Sequence, residues 1–275
     1  MLETRADRPP DSTSFERHLA FRWDTSRGTG RLEAIEEPDP FDLNDLLGVE
    51  TAVSKLVTNF EQFIGGLPCN HVLLFGERGT GKSSAVKGLL SRFAGRGLRV
   101  VEIHKDHLND LPRIYDQLRN LPQRFVLFCD DLSFDASDSR HRELKAALEG
   151  SLAAPPGNVR IVATSNRRHL IQEMRADSHG AHLDDAGELH MGETVEEKLA
   201  LSDRFGLLLG FYGFDQPTYL SIVDHYAAKA GVTAERSVLH FEALRWGLER
   251  SSRSGRTARQ FVDDFAGREA LRRRD

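Results

Sequence analysis

The sequence predicts an α/β fold, a parallel five-stranded sheet with helices on both faces, followed by a small all-α domain. Five short apolar runs, HVLLF (71–75), LRVVEI (98–103), FVLFC (125–129), VRIVA (159–163) and LLLGF (207–211), lack polar alternation, as strands covered on both faces must. Helical or loop sequence fills each gap, so right-handed crossovers join parallel strands and ligand chemistry belongs at the strands' carboxyl ends. After residue 213 the strand signal stops, and three amphipathic segments follow.

Taken in order, residues 1 to about 14 are charged and proline-containing and read as disordered. Residues 15–45 form a polar approach segment with Phe15, Leu19, Phe21 and Trp23 as anchors, and no role follows from the sequence. The expected division is an N-terminal extension over 1–42, an α/β domain over 43–213 and a helical lid over 214–275. Between Val49 and Leu67, Val53, Leu56, Val57, Phe60, Phe63 and Ile64 recur at helical spacing, and Gly65-Gly66 stops the helix.

The first strand runs into Gly76-Glu77-Arg78-Gly79-Thr80-Gly81-Lys82-Ser83, which fits GxxxxGK[ST], and Ser84 opens the helix-like SAVKGLLSRF. Strand, glycine turn and helix in succession converge backbone N–H groups and a helix N-terminus on a polyphosphate. In that chemistry Lys82 reaches the phosphate oxygens and the Ser83 hydroxyl takes one position on Mg²⁺. The expected ligands are a nucleoside triphosphate and Mg²⁺.

The third strand ends in Cys129-Asp130-Asp131, two carboxylates at the same edge of the sheet. Asp130 suits Mg²⁺ and Asp131 the polarisation of an attacking water. The fourth strand ends in Thr164-Ser165-Asn166, where an amide can orient water or touch the terminal phosphate. In the final segments, Tyr219, Leu220, Val223, Tyr226 and Ala227 form one apolar face, Phe241, Leu244 and Leu248 a second, and Ala258, Phe261, Val262 and Phe265 a third. Gly213 and Pro217 flank a hinge ahead of them.

The 275 residues carry a formal charge of -5, which gives no overall electrostatic footprint for nucleic acid. Cys69 and Cys129 sit in or beside apolar runs, as reduced thiols do, and no apolar run approaches membrane-spanning length. A cytoplasmic protein without a membrane partner is expected. His104-Lys105-Asp106-His107 and the stretch holding His179, His182, Asp184, Asp185 and His190 lack a recognised metal spacing. Residues 175–193 are a candidate contact for a partner or an adjacent subunit, and Arg272-Arg273-Arg274 a solvated helix end.

GERGTGKS, VLFCDD, ATSN and SDRFGL occur in the order and context of the AAA+ ATPases, and the chain resembles a bacterial branch of that superfamily catalogued as a domain of unknown function. CDDLSF is also similar to the corresponding strand of replication initiators and helicase loaders. The resemblance, over roughly residues 43–270, implies a P-loop NTPase sheet in the order 5-1-4-3-2, a helical lid and self-assembly into a ring or filament. It implies that Arg204 acts as an arginine finger in a neighbouring subunit's site and that Arg259 reads the terminal phosphate from the lid, with Arg256 a competing assignment. It also gives the segment Asp45 to Glu50, with Leu47 and Gly48, contact with the adenine. Many relatives carry Glu where this chain has Asp131, one methylene shorter. The expected activity is Mg²⁺-dependent ATP hydrolysis between subunits that remodels a macromolecular partner; the rivals are a slow, ATP-gated switch or loader and a small-molecule phosphotransferase.

Overall fold

The computed structural model describes residues 13–26, 28, 30–134, 140–149, 155–166, 182–183, 189–190 and 202–273. Of the disorder expected over residues 1 to about 14, residues 1–12 lie outside them, as does most of the proposed contact segment 175–193, while Thr13 and Ser14 are described and open a short helix. A short helix α1 (Ser14–Arg17) precedes strands β1 (Ala20–Asp24) and β2 (Arg31–Ile35). Then come α2 (Glu50–Ile64), β3 (Val72–Gly76), α3 (Lys82–Phe93), β4 (Leu98–Glu102), α4 (Leu111–Leu118), β5 (Arg124–Cys129), α5 (Arg140–Glu149) and β6 (Val159–Ser165). A two-residue hairpin, β7 (His182–Leu183) with β8 (Leu189–His190), is followed by β9 (Leu207–Phe211), α6 (Gln216–Lys229), α7 (Arg236–Glu249) and α8 (Gly255–Arg272).

The main sheet has the order β2-β1-β4-β5-β6-β3-β9. Its five apolar strands are parallel and stand as β9-β3-β6-β5-β4, the 5-1-4-3-2 order. The sheet therefore has seven strands where the sequence predicts five. Residues 20–35 supply the other two: β1 lies parallel to β4, and β2 pairs antiparallel to β1. A search for unbroken apolar runs misses them because they alternate. Ala20, Phe21 and Trp23 are buried while Arg22 between them is exposed, the pattern of a strand near an open edge.

Successive residues of the central strands enter opposite cores. On one face Leu73, Val101, Leu127 and Ile161 meet α4, α5 and the aromatic rings of Phe15, Phe21 and Trp23. On the other, Leu74, Val100, Val126 and Val162 meet α2 through Leu56 and Phe60, and α3 through Val86 and Leu89. A third core holds α6, α7 and α8 together around Tyr219, Val223, Ala243, Ala258 and Phe261.

One helix departs from expectation. Helix α7 buries Leu239, Ala243 and Gly247, whereas Phe241 and Leu248 are exposed and Leu244 is partly buried. Small residues line the buried face: Tyr219 packs on Gly247 and donates its hydroxyl to the Ala243 carbonyl at 3.0 Å. Among the described residues no helix is long and apolar enough to cross a membrane.

Candidate functional site

Strand β3 ends in the glycine turn, and each glycine there answers a contact. Gly76, at φ 131°, lies so close to the Phe211 carbonyl of β9 that a Cβ would stand 2.0 Å from it. Gly79 and Gly81 have φ of 76° and 104°, values that L side chains rarely adopt. The turn is braced by the Thr80 hydroxyl, which donates to the Glu77 carbonyl at 2.8 Å, and by the Glu77 N–H, which donates to Phe211.

Lys82, at the first position of α3, is buried, and its ammonium donates to the carbonyls of Gly76 at 2.8 Å and Glu77 at 2.6 Å and to Asn166 Oδ1 at 3.3 Å. Burial pushes its pKa below the ordinary lysine value against the pull of Asp130 and Asp131, while Arg256 and Arg78 push the same way as burial. An anion beside it would favour the charged form.

Ser83 donates its hydroxyl to Asp130 Oδ1 at 2.7 Å, and Thr164, buried in β6, donates to the same oxygen at 2.5 Å. The Thr164 hydroxyl in turn accepts the Asp131 N–H at 2.9 Å. Asp131 is held at φ 50°, rare for a residue with a side chain, and its carboxylate accepts from Asn166 Nδ2 at 2.6 Å. One hydroxyl thus fixes both acidic residues. Thr164 was not singled out in the sequence; its signal was a polar residue inside an apolar strand two positions before Asn166.

The C-terminal helices meet the turn directly. The N–H of Arg256 donates to the Gly79 carbonyl at 3.2 Å, and Ser254, which caps α8 by accepting the Thr257 N–H, packs against Gly79. Asp45 ties the approach segment to α6, accepting from Lys229 at 2.6 Å and His225 at 2.8 Å. Burial opposes the Asp45 charge, but these two donors outweigh it and hold the carboxyl below the usual carboxylate range.

A cavity of about 770 Å³ opens between sheet edge and lid. Arg78 through Ser84 form its floor, Asp130, Asp131 and Asn166 one wall, and Arg256 and Arg259 the lid side. Leu46, Leu47, Phe214, Ile222 and Tyr226 add apolar lining, with the charged Asp39, Asp45 and Lys87 also on it. Gly76 and Glu77 stand behind Lys82 rather than on the lining, and Gly48 is turned toward Thr218 and Phe214. Arg204 lies at the other edge of the sheet, ahead of β9, whose five residues span about 16 Å. It is not among the residues that line the cavity.

The arrangement can bind a polyanion at the turn and offers apolar side chains to a flat group beside it. Among the described residues no group of three or more His, Cys, Asp or Glu forms a metal site. The oxygen pair Ser83–Asp130 fits a hard divalent cation that takes its remaining ligands from phosphate and water.

Over 165 residues the chain is 26% identical to the proteasome-activating nucleotidase of Methanocella arvoryzae, a match that covers 51% of this chain and 39% of the relative. It therefore spans about two fifths of the length of that curated relative. The RuvB Holliday junction branch migration motor of Thermotoga maritima superposes with a TM-score of 0.52 at 19% identity, covering 82% of this chain and 63% of that one. The AAA domain of FIGL-1 in complex with ADP superposes with a TM-score of 0.53 at 19% identity, covering 84% and 74%. These likenesses show the AAA+ fold, and that fold suggests nucleotide binding. The family model described as "Protein of unknown function (DUF815)" matches residues 16–269, and the chain belongs to that family within the AAA+ superfamily.

Proposed function

We propose that the chain binds ATP with Mg²⁺ in this cavity and hydrolyses it in an assembly of identical subunits, using the lid's movement to remodel a macromolecular partner. The observation that carries this reading is the convergence on one cavity of the buried Lys82, the Ser83–Asp130 pair, the Asp131–Asn166 pair and two lid arginines. Mg²⁺, held by Ser83 and Asp130, would supply charge neutralisation at the phosphates. Lys82 binds the terminal phosphates, and the apolar lining takes the base, with Leu47 against it. Asp131 accepts a proton from the attacking water while Asn166 orients that water. The water oxygen bonds to the terminal phosphorus, the bond to the bridging oxygen breaks with its electron pair left on the diphosphate, and the proton passes on to the released phosphate.

Arg259, with Arg256 beside it, links the terminal phosphate to lid position. Arg204 is absent from the lining of its own cavity and precedes β9, which supports service in a neighbouring subunit, where a guanidinium matches charge developing on the transferring phosphoryl group. The relatives' printed names, a nucleotidase that activates the proteasome and a motor for Holliday junction branch migration, support a macromolecular partner. Free Cys69 and Cys129 suit a reducing cytoplasm. Light scattering and phosphate release on the wild type and Arg204→Ala test the reading. Arg204→Ala should bind ATP and lose turnover; normal hydrolysis by that variant refutes the shared site.

One observation favours a second reading. The short Asp131 side chain is engaged by Asn166 at 2.6 Å, which limits its reach toward a water and suits a slow, ATP-gated switch. Tight binding with negligible wild-type turnover, raised by Asp131→Glu, would select it.

A further inference from the structure

The approach segment, given no role by its sequence, delivers a side chain to the wall of the nucleotide cavity. Strand β1 runs parallel to β4 with Arg22 in register with Glu102, the last residue of β4. The Nε and Nη2 atoms of Arg22 converge on one oxygen of Glu102, Oε2, each at 2.8 Å. Glu102 lines the cavity. Its register partner in β5 is Phe128, also on the lining, so the two side chains leave the same face of the sheet, and Asp130, two residues beyond Phe128, follows on that face. Neighbouring strands lie about 4.8 Å apart and two residues advance about 6.6 Å, which sets the Glu102 and Asp130 backbones about 8 Å apart on one face of the sheet.

Strand β1 is mounted to hold that position. The Leu19 carbonyl accepts the Val100 N–H at 3.1 Å, and the Trp23 indole donates to Asp110 at 2.9 Å. Arg99 of β4, buried, donates its guanidinium to the carbonyls of Phe15 at 2.6 Å, Ala94 and Leu98. A buried guanidinium given over to a backbone carbonyl of the N-terminal segment fixes that segment to the sheet.

We propose that Glu102 is a third carboxylate of the nucleotide site and that Arg22, from the added strand, is its positioning residue. Nucleotide handling in this chain then depends on a strand that precedes the phosphate-binding domain. The inference rests on the nucleotide-binding reading above and holds whether the chain hydrolyses fast or slowly. Glu102 acts through water, adding negative charge on the side where Asp130 and Ser83 take the divalent cation. Arg22 fixes where that charge stands.

The test titrates a fluorescent ATP analogue against the wild type, Glu102→Gln, Arg22→Gln and the double variant at increasing Mg²⁺, with thermal midpoints to confirm folding. All four should bind the analogue at saturating Mg²⁺. Glu102→Gln should raise the Mg²⁺ concentration for half-maximal binding about five-fold, the scale of one carboxylate acting through water. Arg22→Gln should move that half-point about two-fold or more in the wild type and leave it unmoved in the Glu102→Gln background, since coupled residues are not additive. A half-point unchanged in Glu102→Gln, or an Arg22→Gln shift that persists without Glu102, overturns the inference. If Glu102→Gln does not fold, Glu102→Asp, which withdraws the charge by one methylene, carries the same test. Failure of the wild type to bind the analogue at any Mg²⁺ concentration removes the nucleotide site itself; normal binding with an unmoved half-point removes only the role of Glu102.

Discussion

Replacing Gly79 with alanine separates two costs that the structure places on one residue. At φ 76° a side chain is strained by about 1–2 kcal/mol wherever it stands. The new Cβ would also lie 2.6 Å from Ser254 Oγ and 2.9 Å from Ser254 Cβ, so the lid must move off the turn. Moving it disturbs the cap of α8, worth about 1 kcal/mol. It also breaks the hydrogen bond from the Arg256 N–H to the Gly79 carbonyl, worth about another 1 kcal/mol. The lid-dependent part is then about 2 kcal/mol, roughly 30-fold in an affinity that needs the lid docked. Gly97→Ala is the control: its φ is 89° and nothing lies within 4 Å of its Cβ, so it bears the strain alone. Both variants should lose thermal stability, Gly79→Ala by about twice as much. Titration calorimetry should show ATP binding weakened about 30-fold in Gly79→Ala and unchanged in Gly97→Ala. Equal effects of the two substitutions on stability and binding would refute the lid contact.

Three further outcomes follow from buried groups. Thr164→Val removes the hydroxyl that donates to Asp130 and accepts from Asp131, orphaning the Asp131 N–H; denaturant unfolding should show a loss of about 1–3 kcal/mol, with turnover reduced as well. His71 accepts the Ile161 N–H at 2.9 Å, and burial, helped by Arg160, lowers its pKa from 6.5 to about 4. Because the fold favours the neutral ring, this contribution is complete above about pH 6.5 and is lost as the pH falls through 4, roughly 3 kcal/mol in all. His71→Gln, which keeps an acceptor but no titrating ring, should flatten the stability curve measured over that window; an unchanged curve would contradict the assignment. Burial pushes the Cys129 thiol up to about 12, with Asp130 adding to the shift, so iodoacetamide should label the native chain at Cys69 only and reach Cys129 after unfolding.

The central sheet and the phosphate-binding turn were legible because each depends on local sequence. Unbroken apolar runs mark strands covered on both faces, and three glycines with Lys82 and Ser83 fix the turn whatever surrounds it. Strands β1 and β2 were not, since short strands that interleave Arg22, Arg31 and Glu33 with apolar residues read as polar loop until a neighbour covers one face. The contact of Arg256 and Ser254 with Gly79 joins residues about 175 positions apart, and no local pattern encodes it. Helix α7 misled for a related reason: Phe241 and Leu248 sit at helical spacing, but the partner Tyr219 chose the smaller Ala243 and Gly247. Glu102 could have been noticed, as an acidic residue at the carboxyl end of an inner strand.

Titration calorimetry of ATP with Mg²⁺ into the wild type and Lys82→Ala tests the central claim most directly. Saturable heat at one site per chain, abolished by Lys82→Ala in a protein that remains folded, is the predicted result. No heat from the folded wild type, or the same heat from Lys82→Ala, would contradict it.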